Sequence, residues 1–240
     1  MGDTDRRGWD AMADLAARFV AEADLACTLA WLADQCAELL GGTAAGVMVI
    51  DAQGALDVAA ASSGPARELQ ELEKRHFEGP ARDSFHAGRR IDCPDLAEAD
   101  DRWPRFAPVA QRHGNAALHA FPMALPGRTI GAMTVFLADP GALPGEALET
   151  GQTLANLAAI GVGSYRARQN EILAAQLQAA LHSRVLIEQA KGLLAERLGI
   201  PLDDAFALMR QHARSHGRKL GDIASAVLDG RLILAGEPTE

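Results

Sequence analysis

The chain has 240 residues, enough for one moderate domain and a small second module, and is 48% hydrophobic but only 5% aromatic. Its cores must therefore be built from Ala, Leu, Val and Ile packed closely rather than from large rings. A formal net charge of −9, from 23 Lys and Arg against 32 Asp and Glu, excludes a protein that coats nucleic acid with its whole surface.

Residues 9–40 read as one or two amphipathic helices, with Leu15, Phe19, Leu25, Leu29, Leu32, Cys36, Leu39 and Leu40 near helical spacing until Gly41-Gly42 stops them. Ala44–Ile50 predicts a strand, Asp51-Ala-Gln-Gly54 a turn, and the region around Ala55–Ala60 a second strand. Gly64-Pro65 opens a short helix through Leu69 and Leu72. A further helix follows Gly79-Pro80, reaches His86 and ends at Gly88. The centre is irregular up to a short helix at 106–112, and His119–Leu125 and Thr129–Leu137 read as antiparallel strands joined by Pro126-Gly-Arg128. Helix, two strands, helical insertion and returning strands imply an α+β sensor-like domain. Pro140–Pro144 closes it.

From Gly145 to about Leu198 the chain is expected to be helical. Leu148, Leu154, Leu157 and Ile160 define one apolar line, continued by Ile172, Leu173, Leu177 and Leu181. Such a long helix needs a partner along its length. A parallel homodimer through residues 150–181, with Leu173 and Leu177 as dimerisation candidates, is one solution; a helix folded back on the sensor sheet is the other. Gly161 and Gly163 interrupt the heptad and suggest a kink.

The last segment carries a different charge balance. Residues 1–164 hold 13 basic and 23 acidic side chains, whereas residues 165–240 hold 10 and 9, which permits a local phosphate-facing strip there. On a wheel with Leu186 at 0°, Ala190, Leu193, Leu194 and Ile187 fall between about 340° and 100°, while Arg184, Glu188 and Lys191 fall between about 140° and 200°. Arg184 and Lys191 thus reach one surface, with Glu188 between them to orient a base. Gly199-Ile-Pro201 ends this helix. A second has Leu202, Ala205, Phe206, Met209 and Ala213 inward and Asp203 and Asp204 at its N-terminus, with Arg210 and Arg214 four apart. A third begins near Lys219 and buries Leu220, Ile223, Ala224 and Val227.

Residues 177–228, through Ser183-Arg-Val-Leu-Ile-Glu-Gln-Ala-Lys-Gly-Leu-Leu-Ala-Glu-Arg197, Ala205-Phe-x-x-Met209-Arg210, Ala213-Arg214 and Leu220-x-x-Ile223-Ala224, resemble an ANTAR domain, the three-helix RNA-binding module of bacterial transcription antitermination regulators. The upstream region resembles a GAF domain of the type joined to ANTAR modules in high-GC Gram-positive bacteria. That match is carried by Glu78-Gly-Pro-Ala-Arg-Asp-Ser84, Asp92-Cys-Pro-Asp-Leu96, Arg102-Trp-Pro-Arg-Phe106, Phe121-Pro-Met-x-Leu125 and Ile130-Gly-Ala132. Ala81 stands where related sequences often have a cysteine. The expected organisation is a GAF-like sensor domain over 10–163, a helical connector over 164–176 and an ANTAR-like RNA-binding domain over 177–232. The resemblance implies binding to paired stem-loops in nascent RNA, commonly as a dimer, and a signal-responsive antitermination function.

The RNA contact candidates are Arg184, Lys191, Arg210, Arg214, Arg218 and Lys219, because Arg forks onto phosphates or stacks on bases and Lys offers a mobile charge. Taken singly, each reads first as an ordinary solvated helix residue. The module has no Tyr or Trp, so Arg planes, His, polar groups or backbone must do any base reading. Ala190 reads as helix packing and Ser183 as a tight helix crossing; Gly192 fits packing or RNA approach. His182, His212 and His216 lack the further ligands of a metal shell and read as solvated or RNA-adjacent. Trp103, Phe106, Met123 and Met133 either line a sensor pocket for an unknown small ligand or form the domain core. A signalling protein is the other candidate input.

Cys27, Cys36 and Cys93 form no C-x-x-C pair, and Cys93 reads as a buried thiol before a redox sensor. The polar Met1–Arg7 start lacks the apolar stretch of a secretion signal and no apolar run approaches membrane-span length, so a soluble cytoplasmic protein without membrane contact is expected. No P-loop, dinucleotide fingerprint or nucleophile elbow is present, so no enzyme, cofactor or metal is expected. The leading reading is an RNA-binding antitermination regulator. The alternative is a protein-interaction or dimerisation scaffold with a small-ligand sensor domain and no direct RNA binding.

Overall fold

The computed structural model describes residues 3–21 and 24–234, so the Met1-Gly2 start lies outside the described residues. The chain divides into two compact units, Met1–Ala167 and Arg168–Glu240. The first contains α1 (Asp3–Val20), α2 (Leu25–Leu39), β1 (Ala44–Ile50), β2 (Leu56–Ala61), α3 (Gly64–His76), α4 (Pro80–Ala87), β3 (Ile91–Cys93), α5 (Ala107–Arg112), β4 (Ala117–Leu125) and β5 (Arg128–Leu137). Helix α6 (Gly145–Leu198) begins in this unit; α7 (Leu202–Ser215) and α8 (Leu220–Leu228) belong to the second. The 9–40 region resolves into two helices, with Asp24 capping α2 through the Cys27 N–H.

Five antiparallel strands pair in the order β2-β1-β5-β4-β3. Strand β3, three residues at the sheet edge, falls in the stretch that reads as irregular: it is too short for alternation to be visible, and pairing with Leu118–Ala120 defines it. Period-two alternation sends Val47, Val49, Phe121, Met123, Met133 and Val135 to one face, against Leu15, Leu29, Leu32, Leu154 and Ala158. Leu118, Ala120 and Phe136 face the other way, with Leu69, Leu96, Trp103 and Phe106.

The start of α6 covers the first face with small residues. Ala155, Ala158, Ala159 and Val162 are fully buried with Leu154, whereas Ile160 is 55% exposed, so it leaves the apolar line expected from spacing. At 100° per residue it lies roughly opposite the buried alanines. The helix runs unbroken through Gly161 and Gly163. Gly161 accommodates a neighbour: a Cβ there would come within 2.3 Å of the Phe19 ring.

On the other face, α3 buries two polar side chains. Gln70 sits on Gly46, where a Cβ would meet it at 2.3 Å, and Gly46 lies opposite Thr134 in the β1–β5 register. One helical turn on, Glu73 sits against Gly79 and accepts the Arg82 N–H at 3.1 Å. Both Gln70 amide atoms, Glu73 Oε1 and Thr134 Oγ1 are buried without a hydrogen-bond partner. Burial pushes the Glu73 carboxyl up to about 8, against the opposing effect of the Arg82 and Ala81 N–H groups.

The second unit has its own core of Ala190, Leu194, Ala205, Met209, Ala213, Ile223, Ala224 and Val227. Gly199 ends α6 in the left-handed region at φ 64°, and Ile200 N–H returns to Ala195 O. Gly217, at φ 60°, likewise turns the chain after α7. Helices α6 and α8 touch where Gly221 meets Ser183: a Cβ on Gly221 would lie 2.4 Å from Ser183 Oγ. Ser183 thus serves a tight helix crossing. Gly192 differs, because nothing lies within 4 Å of where its Cβ would be, so helix packing does not require it.

Two outcomes follow from this packing. Because the folded-state value of Glu73 is raised from the ordinary 4.5 to about 8, its protonated form stabilises the first unit fully below about pH 4.5, and that contribution is lost as pH rises through 8. Thermal melts should show stability declining across this window, with a clearly flatter decline in Glu73→Gln. In the second unit, Gly221→Ala should destabilise by about 1–3 kcal/mol despite the better helix propensity of alanine, and Ser183→Ala should recover part of the loss in denaturant titrations of the double variant.

Candidate nucleic-acid interface

In the second unit, burial of Ala205, Met209 and Ala213 turns the opposite side of α7 to solvent. Arg210 and Arg214, one turn apart, are both exposed on it. They border an open depression with Asp203, Phe206, Ala207, Gln211 and Ser215, and a second, adjoining one with Ala213, Gly217, Arg218 and Leu220. Arg218 enters this second depression because the Gly217 turn brings the chain back, with Arg218 N–H bonded to Ala213 O at 2.9 Å. The Arg210 guanidinium lies over the Phe206 ring, 5.7 Å from its centre. Lys219, exposed, is the residue from which α8 starts. Arg210, Arg214 and Arg218 thus share one surface feature, with Lys219 next to it in the chain.

On α6, Arg184 is exposed. Lys191 is different: its ammonium pairs with Glu188 at 2.6 Å and its side chain is 19% exposed, so Glu188 orients this base of the pair and partly neutralises it. Seven helical steps take Arg184 to Lys191, about 10 Å along the axis. Leu173 and Leu177 are 55% and 56% exposed, and Leu181 and Val185 extend the same apolar stripe at four-residue intervals.

The four residues singled out for a sensor pocket are all buried but do not share a cavity. Trp103 and Phe106 pack edge to face on one side of the sheet, with Phe136; Met123 and Met133 lie on the other side. Strand alternation separates them, a consequence visible only once the register is known. The Trp103 indole N–H is satisfied by Asp83, which also pairs with Arg102. Sequence reading passed over the polar group formed by Gln70, Glu73 and Thr134. The one signal in the chain was a glutamine and a glutamate at the helical spacing of buried Leu69 and Ala66, polar residues where core is due. Four orphaned atoms there form donors and acceptors with no internal partner.

Cys36 and Cys93 are buried, and burial pushes both thiols up, which suits inert cysteines. Among the described residues no group of three or more His, Cys, Asp or Glu side chains could hold a metal ion, and no helix is long and apolar enough to cross a membrane.

The ANTAR domain family matches residues 175–228 and the GAF domain family residues 22–162. No curated protein matches the chain. Among solved structures, the GAF domain of an Acinetobacter phosphoenolpyruvate-protein phosphotransferase superimposes with a TM-score of 0.54 at 11% identity, over 70% of this chain and 97% of that one. The GAF domain of the corresponding Coxiella burnetii protein gives 0.54 at 14%, over 70% and 99%. The free methionine-R-sulfoxide reductase of Neisseria meningitidis, solved with its substrate, gives 0.53 at 15%, over 70% and 95%. At such identities the likeness is one of fold alone. The α+β unit with its antiparallel sheet, the long helix and the helical module after it accord with both family matches, and the chain belongs to the GAF domain family, with an ANTAR domain at residues 175–228.

Proposed function

We propose that this protein is a signal-responsive regulator that binds stem-loops in nascent RNA and promotes transcription antitermination. The observation that carries this reading is the exposed row Arg210, Arg214 and Arg218 bordering adjoining depressions within a matched ANTAR domain. Three guanidiniums along one open surface suit the phosphates of an RNA stem, and Arg184, Lys191 and Lys219 are the further contact candidates. Lys191, held by Glu188, contributes less net charge than the others. The protein acts in the cytoplasm, where nascent transcripts are exposed.

The stripe Leu173, Leu177, Leu181 and Val185 supports a homodimer through α6. A dimer presents two modules to two linked hairpins, so the second binding step gains from effective concentration. An unknown small ligand or a signalling protein at the GAF domain provides the input. This input alters the geometry of α6 and hence the spacing of the modules. The same leucine stripe favours the second reading, a dimerisation or protein-interaction scaffold without direct RNA contact.

Salt-titrated binding to structured RNA separates the two. Arg210→Ala with Arg214→Ala should weaken hairpin binding uniformly across sequences and lower the salt slope by about one unit for each phosphate contact removed. An unchanged affinity and slope would favour the scaffold. Leu173→Glu with Leu177→Glu should weaken binding to a two-hairpin RNA far more than to a single hairpin, and equal losses on both would reject the paired-module mechanism.

A further inference from the structure

At the end of α7 two imidazole rings lie on one another. His212 and His216 are one helical turn apart, with ring centroids separated by 4.0 Å and planes inclined by 21°. His216 Nδ1 lies 3.0 Å from the His212 carbonyl oxygen and 2.9 Å from Ser215 Oγ, and that hydroxyl itself donates to the same carbonyl at 3.1 Å. A carbonyl oxygen only accepts, so His216 Nδ1–H donates to it, and the ring is held in a set orientation by the last turn of the helix. His212 covers one face of this ring. His216 is itself an exposed residue.

The surroundings are cationic. Desolvation first, then the neighbouring His216 and Arg218, holds His212 below the usual imidazole range. Lys219 follows Arg218 and is exposed; Arg214, two residues from each histidine, points to the opposite side of α7. Phe206, the only phenylalanine of the module, is half-buried and faces the Arg210 guanidinium. An oriented, exposed ring with positive side chains beside it matches an unstacked nucleobase and its flanking phosphates, the form in which RNA loops display their bases.

We propose that the face of His216 opposite His212 is the stacking platform for one unpaired loop base of the bound hairpin, with His212 backing the ring and Arg218 and Lys219 taking the adjacent phosphates. This rests on the RNA-binding reading above and adds to it the element that distinguishes loop from stem.

The test uses the full-length protein and a pool of hairpin RNAs with a fixed stem and a randomised loop. The tightest binder is recovered, and each loop nucleotide is replaced in turn by an abasic residue. One abasic position should weaken binding about tenfold or more. His216→Ala should weaken the intact RNA by a similar factor yet weaken that abasic RNA no further, and His216→Phe should restore affinity for the intact RNA. Because His216 is exposed, the thermal melt of His216→Ala should match that of the unaltered protein. Equal losses on intact and abasic RNA, no loss on either, or no rescue by the phenylalanine would overturn the platform while leaving RNA binding in place. If the unaltered protein enriches no hairpin from the pool, the RNA-binding reading falls, and the platform with it.

Discussion

Close approach through small side chains is the constraint on which both cores depend. A chain with so few aromatic residues fills space by bringing backbones together. On α6 the buried face of the first unit is Ala155, Ala158, Ala159 and Val162, and Gly161 admits the Phe19 ring at a distance no Cβ would tolerate. The second unit repeats the device with Ala190, Ala205, Ala213 and Ala224, and with Gly221 against Ser183. Each such contact gains dispersion over many short-range pairs and leaves little slack, so small volume changes at these positions are felt.

That economy determines where function can sit. When a helix buries alanines, its long side chains are displaced to the outer face, and on α7 those are Arg210 and Arg214. The polar residues that do enter the interior are correspondingly conspicuous. Gln70 and Glu73 occupy core positions only because Gly46 and Gly79 make room, and they keep unpaired atoms in a region where each costs about 1–3 kcal/mol. Gly192 poses the converse case on the surface of α6: a mid-helix glycine costs about 1 kcal/mol relative to alanine, and no internal neighbour requires its lack of a side chain.

Much of the architecture was legible before any coordinates. Strand β1 and helix α4 fall at their expected places because alternation, Gly-Pro openings and a terminal glycine are local signals. The three-helix module was readable from residues 177–228 because its apolar residues keep a 3.6-residue period and Gly199 and Gly217 mark both turns. The short edge strand Ile91–Cys93 was not readable, since a three-residue segment acquires its identity from the neighbour it pairs with. Nor was the direction of Ile160: a hydrophobic residue near helical spacing belongs to the buried face only if that face is where the sheet lies.

The residue pattern alone determined the two modules, their helical and strand content and the loss of the acidic excess in the last segment, because periodicity, capping and charge are properties of neighbours in the chain. Tertiary structure decided which side chains meet. It separated Trp103 and Phe106 from Met123 and Met133, tied Lys191 to Glu188, gathered Arg210, Arg214 and Arg218 on one surface and laid His216 on His212. Such encounters depend on strand register, rotamer and the angle at which a turn returns the chain, none of which is encoded by a residue together with its immediate neighbours.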